Sequence, residues 1–128
     1  MKPNEITPDL NASRVYLAGP LLLEDSAINI RNVLTVADRL LLDGHIPHIP
    51  HLTWFWHLVK PHNSDVWLEY DLHWLSLCDV LFHLPGQSAG TQVELKYANE
   101  HNIPVFNEYE QLSEWLKTFG AINTKELS

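Results

Sequence analysis

The chain has 128 residues, 45% of them hydrophobic, and a formal net charge of −8. That length suits one domain with a real core, and no apolar run approaches the roughly 20 residues that span a bilayer. The acidic balance argues against nonspecific binding to a DNA or RNA polymer, which depends on neutralising phosphates, but not against a small nucleotide. Cys78 is the single cysteine, so no intramolecular disulfide framework is expected and a reducing cytoplasm suits the chain. The opening residues lack the basic-then-apolar pattern of a signal peptide.

Residues 1–13 are polar, contain two prolines and show no periodicity, which predicts a loose arm. Arg14-Val15-Tyr16-Leu17-Ala18 reads as a short buried strand, and Gly19-Pro20 as the turn after it. Leu21, Leu22 and Leu23 form an apolar loop, which implies a lid, a packed cover or a dimer contact. From about Ser26 the residues Ile28, Val33, Leu34, Ala37, Leu40 and Leu41 recur at helical spacing, and Gly44 closes the helix. His45 to His51 can hold a short strand, which Pro47 and Pro50 bar from a fully paired central position. Trp54, Phe55 and Trp56 follow in an aromatic cluster suited to a core, a subunit interface or a platform for a flat ring.

Ser64 is the expected N-cap of a helix running to about Leu77, with Asp65 in its first turn. On that helix Asp71 falls within a stripe of Trp67, Tyr70, Trp74 and Cys78, where a purely structural helix would place an apolar residue. Val80 to Leu84 is the next strand. A small-residue turn then leads into a helix over Ala89 to Glu100, with Glu94 in its early turns. Free N–H groups at such a helix start bind anions or hydroxyls, and Ser88 and Gly90 can approach a ligand closely. Ile103 to Phe106 is a fourth strand, Tyr109 to Phe119 a closing helix, and 120–128 a tail. Strands alternating with helices over 14–119 predict one small α/β domain. It is doubly wound and Rossmann- or flavodoxin-like, with a parallel sheet of about four to five strands and helices on both faces.

Three pieces of the chain resemble the nucleoside 2-deoxyribosyltransferase superfamily, including its deoxynucleoside 5′-monophosphate N-glycosidase branch. They are Val15 to Pro20, Asp71 to Leu75 leading through Cys78-Asp79, and Ser88-Ala89-Gly90 followed by Glu94. The resemblance covers about Arg14 to Trp115. It implies reaction at C1′ of a nucleoside or nucleotide, with Glu94 as the nucleophile that forms a glycosyl-enzyme intermediate. It further implies that Asp71 handles a proton, that Tyr16 orients Glu94, and that Ser88 and Gly90 hold the 5′ end of the sugar. Gly19, Trp54 and Trp67 complete the expected substrate contacts. No cofactor and no metal are implied, and a homodimer or larger homo-oligomer is. Where the nucleotide-cleaving branch carries a phosphate-binding arginine, Gly19 to Asp25 has no basic residue; Arg31 lies further along the helix.

Independent chemistry points the same way. Cleaving an N-glycosidic bond builds oxocarbenium character, which a close carboxylate traps, and the departing base needs a proton. Two carboxylates in different environments can divide those roles. Water as acceptor makes a hydrolase and a second base makes a transferase; both stay open. The alternative is a nucleoside- or nucleotide-binding or sensory protein without turnover. A third reading places zinc on the His45-His48-His51 segment, but every-third residues of an extended strand alternate faces and no paired-cysteine or HExxH pattern supports it. Asp79 is read as holding a turn.

Overall fold

The computed structural model describes residues 11–86 and 88–127. Four parallel strands form one sheet in the order β2-β1-β3-β4: β1 Arg14–Ala18, β2 Ile46–His48, β3 Val80–His83 and β4 Val105–Phe106. Five helices connect and close it: α1 Ser26–Leu42, α2 Thr53–Val59, α3 Ser64–Leu75, α4 Ala89–Glu100 and α5 Tyr109–Leu127. A short 3-10 turn over Pro50–Leu52 precedes α2. This is the doubly wound α/β fold expected.

The pleat of the central strand sorts its side chains to two faces. Val15 and Leu17 pack with Val33, Ala37 and Leu40 of α1 and with Leu112 and Leu116 of α5. Tyr16 and Ala18 turn the other way, toward Leu75 beside Leu72 of α3 and Ala98 beside Leu95 of α4. A phenol therefore lies in the buried stretch Val15 to Ala18 of the strand, on the face covered by the two helices that carry the candidate carboxylates.

Local signals explain most boundaries. Asp25 caps α1, accepting from the Ala27 and Ile28 amides at 2.9 and 3.2 Å. Gly44 follows that helix with φ +92°, the left-handed geometry glycine tolerates best. β2 is an edge strand paired only with β1, as Pro47 within it requires. Asp79 holds the turn into β3 by accepting from the Arg14 amide at 2.7 Å. Tyr109 ties α5 back to α1, donating to Asp43 at 2.8 Å beneath the Arg39 guanidinium.

Some expectations shift. Asn63, not Ser64, occupies the cap position of α3, without a side-chain capping bond, and Ser64 is the first helical residue. That helix ends at Leu75. Of the expected arm, residues 1–10 lie outside the described residues, whereas Ser13 is buried and its carbonyl accepts from Ile46 at 2.8 Å. The closing helix runs past Phe119 to Leu127; Ser128, and Gln87 in the turn after β3, also lie outside the described residues.

Candidate active site

Chain order places β2 on one side of β1 and β3 on the other, so the carboxyl ends of β1 and β3 flank a topological switch point. In open α/β sheets ligands bind at such a crevice. Gly19 and Pro20 leave β1 there, and Leu84, Pro85 and Gly86 leave β3. The two turns touch: a Cβ on Gly19 would lie 3.0 Å from Leu84 Cβ, and one on Gly86 would lie 2.9 Å from Pro20 Cγ. Gly86 also has φ +103°. Gly19 thus serves the packing of the two turns as well as the cleft it borders.

A cleft of about 620 Å³ opens at this point. Its lining holds the carboxylates Asp71 and Glu94, the turn and helix-start residues Gly19, Ser88, Gly90 and Thr91, and the aromatic residues Trp54, His57 and Trp67. Seven of the eight expected site residues therefore share one cavity. Tyr16 lies directly beneath it, fully buried, and its hydroxyl donates to Glu94 Oε2.

The electrostatics follow from burial. Glu94 is 6% exposed, and desolvation pushes its carboxyl up to about 7, partly opposed by the Tyr16 hydrogen bond. Asp71 is also raised to about 7, first by desolvation and then by the negative charge of Glu94. Its Oδ1 is buried without a hydrogen-bond partner. The two carboxyls differ in one respect that matters: Tyr16 stabilises the ionised form of Glu94, and nothing comparable supports Asp71. In a pair that holds one proton, that asymmetry places the charge on Glu94 and the proton on Asp71. The Tyr16 phenol itself is held well above its ordinary range by burial and by both carboxylates, so it remains a donor.

Ser88 caps α4, accepting from the Thr91 amide at 3.2 Å and sharing a 2.8 Å bond with Thr91 Oγ1. A Cβ on Gly90 would meet no described residue within 4 Å, so the first turn of α4 has room for a ligand. Among the described residues no lysine or arginine lines the cleft, and Arg31 is exposed on α1 and is not part of the lining. Leu21, Leu22 and Leu23 border the opening, their loop fixed by Asn29 Nδ2, which donates to the carbonyls of Leu21 and Leu23 at 2.9 and 2.7 Å.

Beside the expected tryptophans the lining contains His57, a residue with no site role expected from the sequence. Trp54 stacks on His57 with centroids 5.5 Å apart, and Trp67 meets the same imidazole edge-on at 6.0 Å. Trp67 spends its indole N–H on His57 Nδ1 at 2.8 Å, so it offers a ligand its ring rather than a donor. Trp54 and His57 are three apart on α2, a spacing that would have paired them had Thr53–Val59 been recognised as a helix. His51 is buried in the cleft wall with Nδ1 unpartnered, its charge disfavoured by desolvation although the Gly19 and Pro20 backbone favours it. His48, adjacent to Tyr16 in the sheet register, is sandwiched between Tyr16 and Trp74 at 5.4 and 5.5 Å. Among the described residues no three His, Cys, Asp or Glu side chains converge as a metal-ligand set.

Fold and site together define a doubly wound α/β domain with a paired-carboxylate cleft at its switch point. Residues 13–108 match the family described as Domain of unknown function (DUF7768), and the chain belongs to that family. No curated protein matches it. No helix among the described residues is long and apolar enough to cross a membrane.

Proposed function

We propose that the protein is an enzyme acting on the N-glycosidic bond of a nucleoside, by hydrolysis or 2-deoxyribosyl transfer, in the manner of the nucleoside deoxyribosyltransferases it resembles. The observation that carries this reading is the Tyr16–Glu94 hydrogen bond beside the unpartnered Oδ1 of Asp71 in one cleft. Glu94, ionised and oriented by Tyr16, attacks C1′ as the bond to the base breaks, giving a glycosyl ester. Asp71 delivers its proton to the departing base. Water, or a second base, then attacks C1′, gives up its proton to the Asp71 carboxylate, and releases Glu94. Ser88 and Gly90 hold the 5′ end of the sugar, while Trp54 and Trp67 flank the base.

The lack of lysine and arginine among the described lining residues favours a 5′-hydroxyl over a 5′-phosphate, since a phosphate would add charge beside two carboxylates. We assign the protein to the cytoplasm, where the Cys78 thiol, pushed up to about 12 by burial, stays reduced and unreactive. We also assign a homodimer or larger homo-oligomer. α2 contributes no buried residue and exposes Phe55, Trp56, Leu58 and Val59, a face that a second copy would cover.

The test is incubation with deoxynucleosides, ribonucleosides and their monophosphates, with and without an acceptor base, and chromatography for free base. Release from a nucleoside, lost in Glu94→Gln, is the expected result. Binding without release from any substrate would instead support the nucleoside-binding alternative.

A further inference from the structure

The imidazole of His57 is held in one tautomer by its neighbours. Its Nδ1 accepts from two donors, Trp67 Nε1–H at 2.8 Å and the His62 backbone N–H at 3.2 Å. A nitrogen facing two N–H groups carries no proton, so the neutral ring bears its proton on Nε2. His57 lines the cleft, and no hydrogen bond to its Nε2 is formed within the described residues. The cleft lining therefore includes an imidazole of fixed tautomer, with an unpaired N–H, in ring contact with two tryptophans.

Geometry ties that donor to the base. His57 and Trp54 lie within 24° of parallel, so a flat ring accepting in the imidazole plane lies nearly parallel to the indole. Trp67, at 75° to the imidazole, closes the side and cannot add a donor because its own is used. We infer that His57 reads the base and selects an oxo group over an amino group at the edge facing it, making lactam bases the preferred substrates. This inference rests on the N-glycosidase reading for the presence of a base and extends it to the identity of that base. The chemistry is a difference between two outcomes at one atom. A carbonyl oxygen accepts from Nε2–H, whereas an exocyclic amine sets donor against donor and leaves both unsatisfied.

The experiment measures binding by tryptophan fluorescence for two matched pairs, deoxyinosine with deoxyadenosine and deoxyuridine with deoxycytidine, and measures base release separately. Wild type is expected to bind the oxo member of each pair about 10-fold tighter or better. His57→Phe should remove the preference. Trp67→Phe, which keeps an aromatic ring but removes one of the two donors that hold the tautomer, should reduce it. Nitrogen-15 NMR of the wild type should show His57 protonated on Nε2. An Nδ1–H tautomer, equal binding within both pairs, or a preference that survives in a folded His57→Phe protein would overturn the inference. Base release without oxo preference would overturn it alone, whereas oxo-selective binding without release would overturn the glycosidase reading alone. No binding of any nucleoside would overturn both.

Discussion

Tyr16 and Glu94, 78 residues apart in the chain, share a hydrogen bond inside the protein, from a phenol on the central strand to a carboxylate on α4. The bond runs beneath the cleft rather than across it. It leaves one face of the carboxylate open and biases a buried acid, raised to about 7, toward its charged form. Tyr16 is thus a positioning residue for Glu94 and never meets the substrate in the proposed reaction.

Variants of the three residues should separate by role. Glu94→Gln should abolish base release. Asp71→Asn should lower kcat about 10²- to 10⁴-fold on neutral bases, the range for losing a general acid. It should lower it much less on a substrate with an activated leaving group. Tyr16→Phe should keep measurable activity but raise the Glu94 carboxyl, because the hydrogen bond that lowers it is gone. A pH–rate profile would show the acid limb moving upward. An unchanged limb would mean that Tyr16 does not tune Glu94.

Activity should follow a bell centred near neutrality, since the productive state carries one proton on the Asp71–Glu94 pair and both groups titrate about 7. Stability has a distinct signature. Glu94 is raised from 4.5 to about 7 on folding, so the folded protein binds more protons in that window and stability falls as pH rises through it. Replacing the charge in Glu94→Gln should stabilise the fold by about 1–3 kcal/mol at pH 8 and by almost nothing at pH 4. His45, His48 and His51 are lowered on folding and slope the opposite way, so the quantity to measure is the wild-type minus variant difference in denaturant unfolding.

Trp54→Ala should weaken nucleoside binding by about 1–3 kcal/mol, the scale of a base–aromatic stack, with less effect on turnover of bound substrate. Single-turnover kinetics at saturating nucleoside distinguish the two. A kcat collapse with unchanged affinity would place Trp54 in the chemistry rather than the platform.

Gly86, in the turn after β3, and Gly90, in the first turn of α4, should behave differently. Gly86→Ala meets Pro20 Cγ at 2.9 Å and must also hold φ +103°, so a loss of about 1–3 kcal/mol in unfolding free energy is expected. Gly90→Ala meets no described residue, so thermal stability should be unchanged or slightly higher, as helical alanine is worth up to about 1 kcal/mol over glycine. The added methyl nevertheless occupies the open first turn of α4, and nucleoside affinity should fall. Full affinity in Gly90→Ala would remove the 5′ end of the sugar from that turn.

The architecture was legible in the sequence because its signals are local. Apolar runs mark β1 and β3, 3.6-residue periodicity marks α1, and Pro47 confines β2 to an edge. Even α4 begins and ends where the residue pattern places it, at Ala89 and Glu100, because Ser88 supplies the cap bond. α2 was not legible: Trp54, Phe55 and Trp56 read equally as core, and no capping side chain announces its start. Residue pattern singled out Asp71 and Glu94, and the resemblance added Tyr16 as the residue that orients Glu94; the local pattern by itself holds no relation between the three.

Tertiary structure decided that relation, and the reason is physical. The pleat turns Tyr16 away from Val15 and Leu17, toward α3 and α4, and burial then raises both carboxyls while a single phenol breaks their symmetry. Likewise a histidine in the sequence has two tautomers, and only the convergence of Trp67 and the His62 amide on one nitrogen selects between them. Periodicity and turn chemistry act between neighbours and are written in the chain. Desolvation and hydrogen-bond direction act between residues that only the fold brings together.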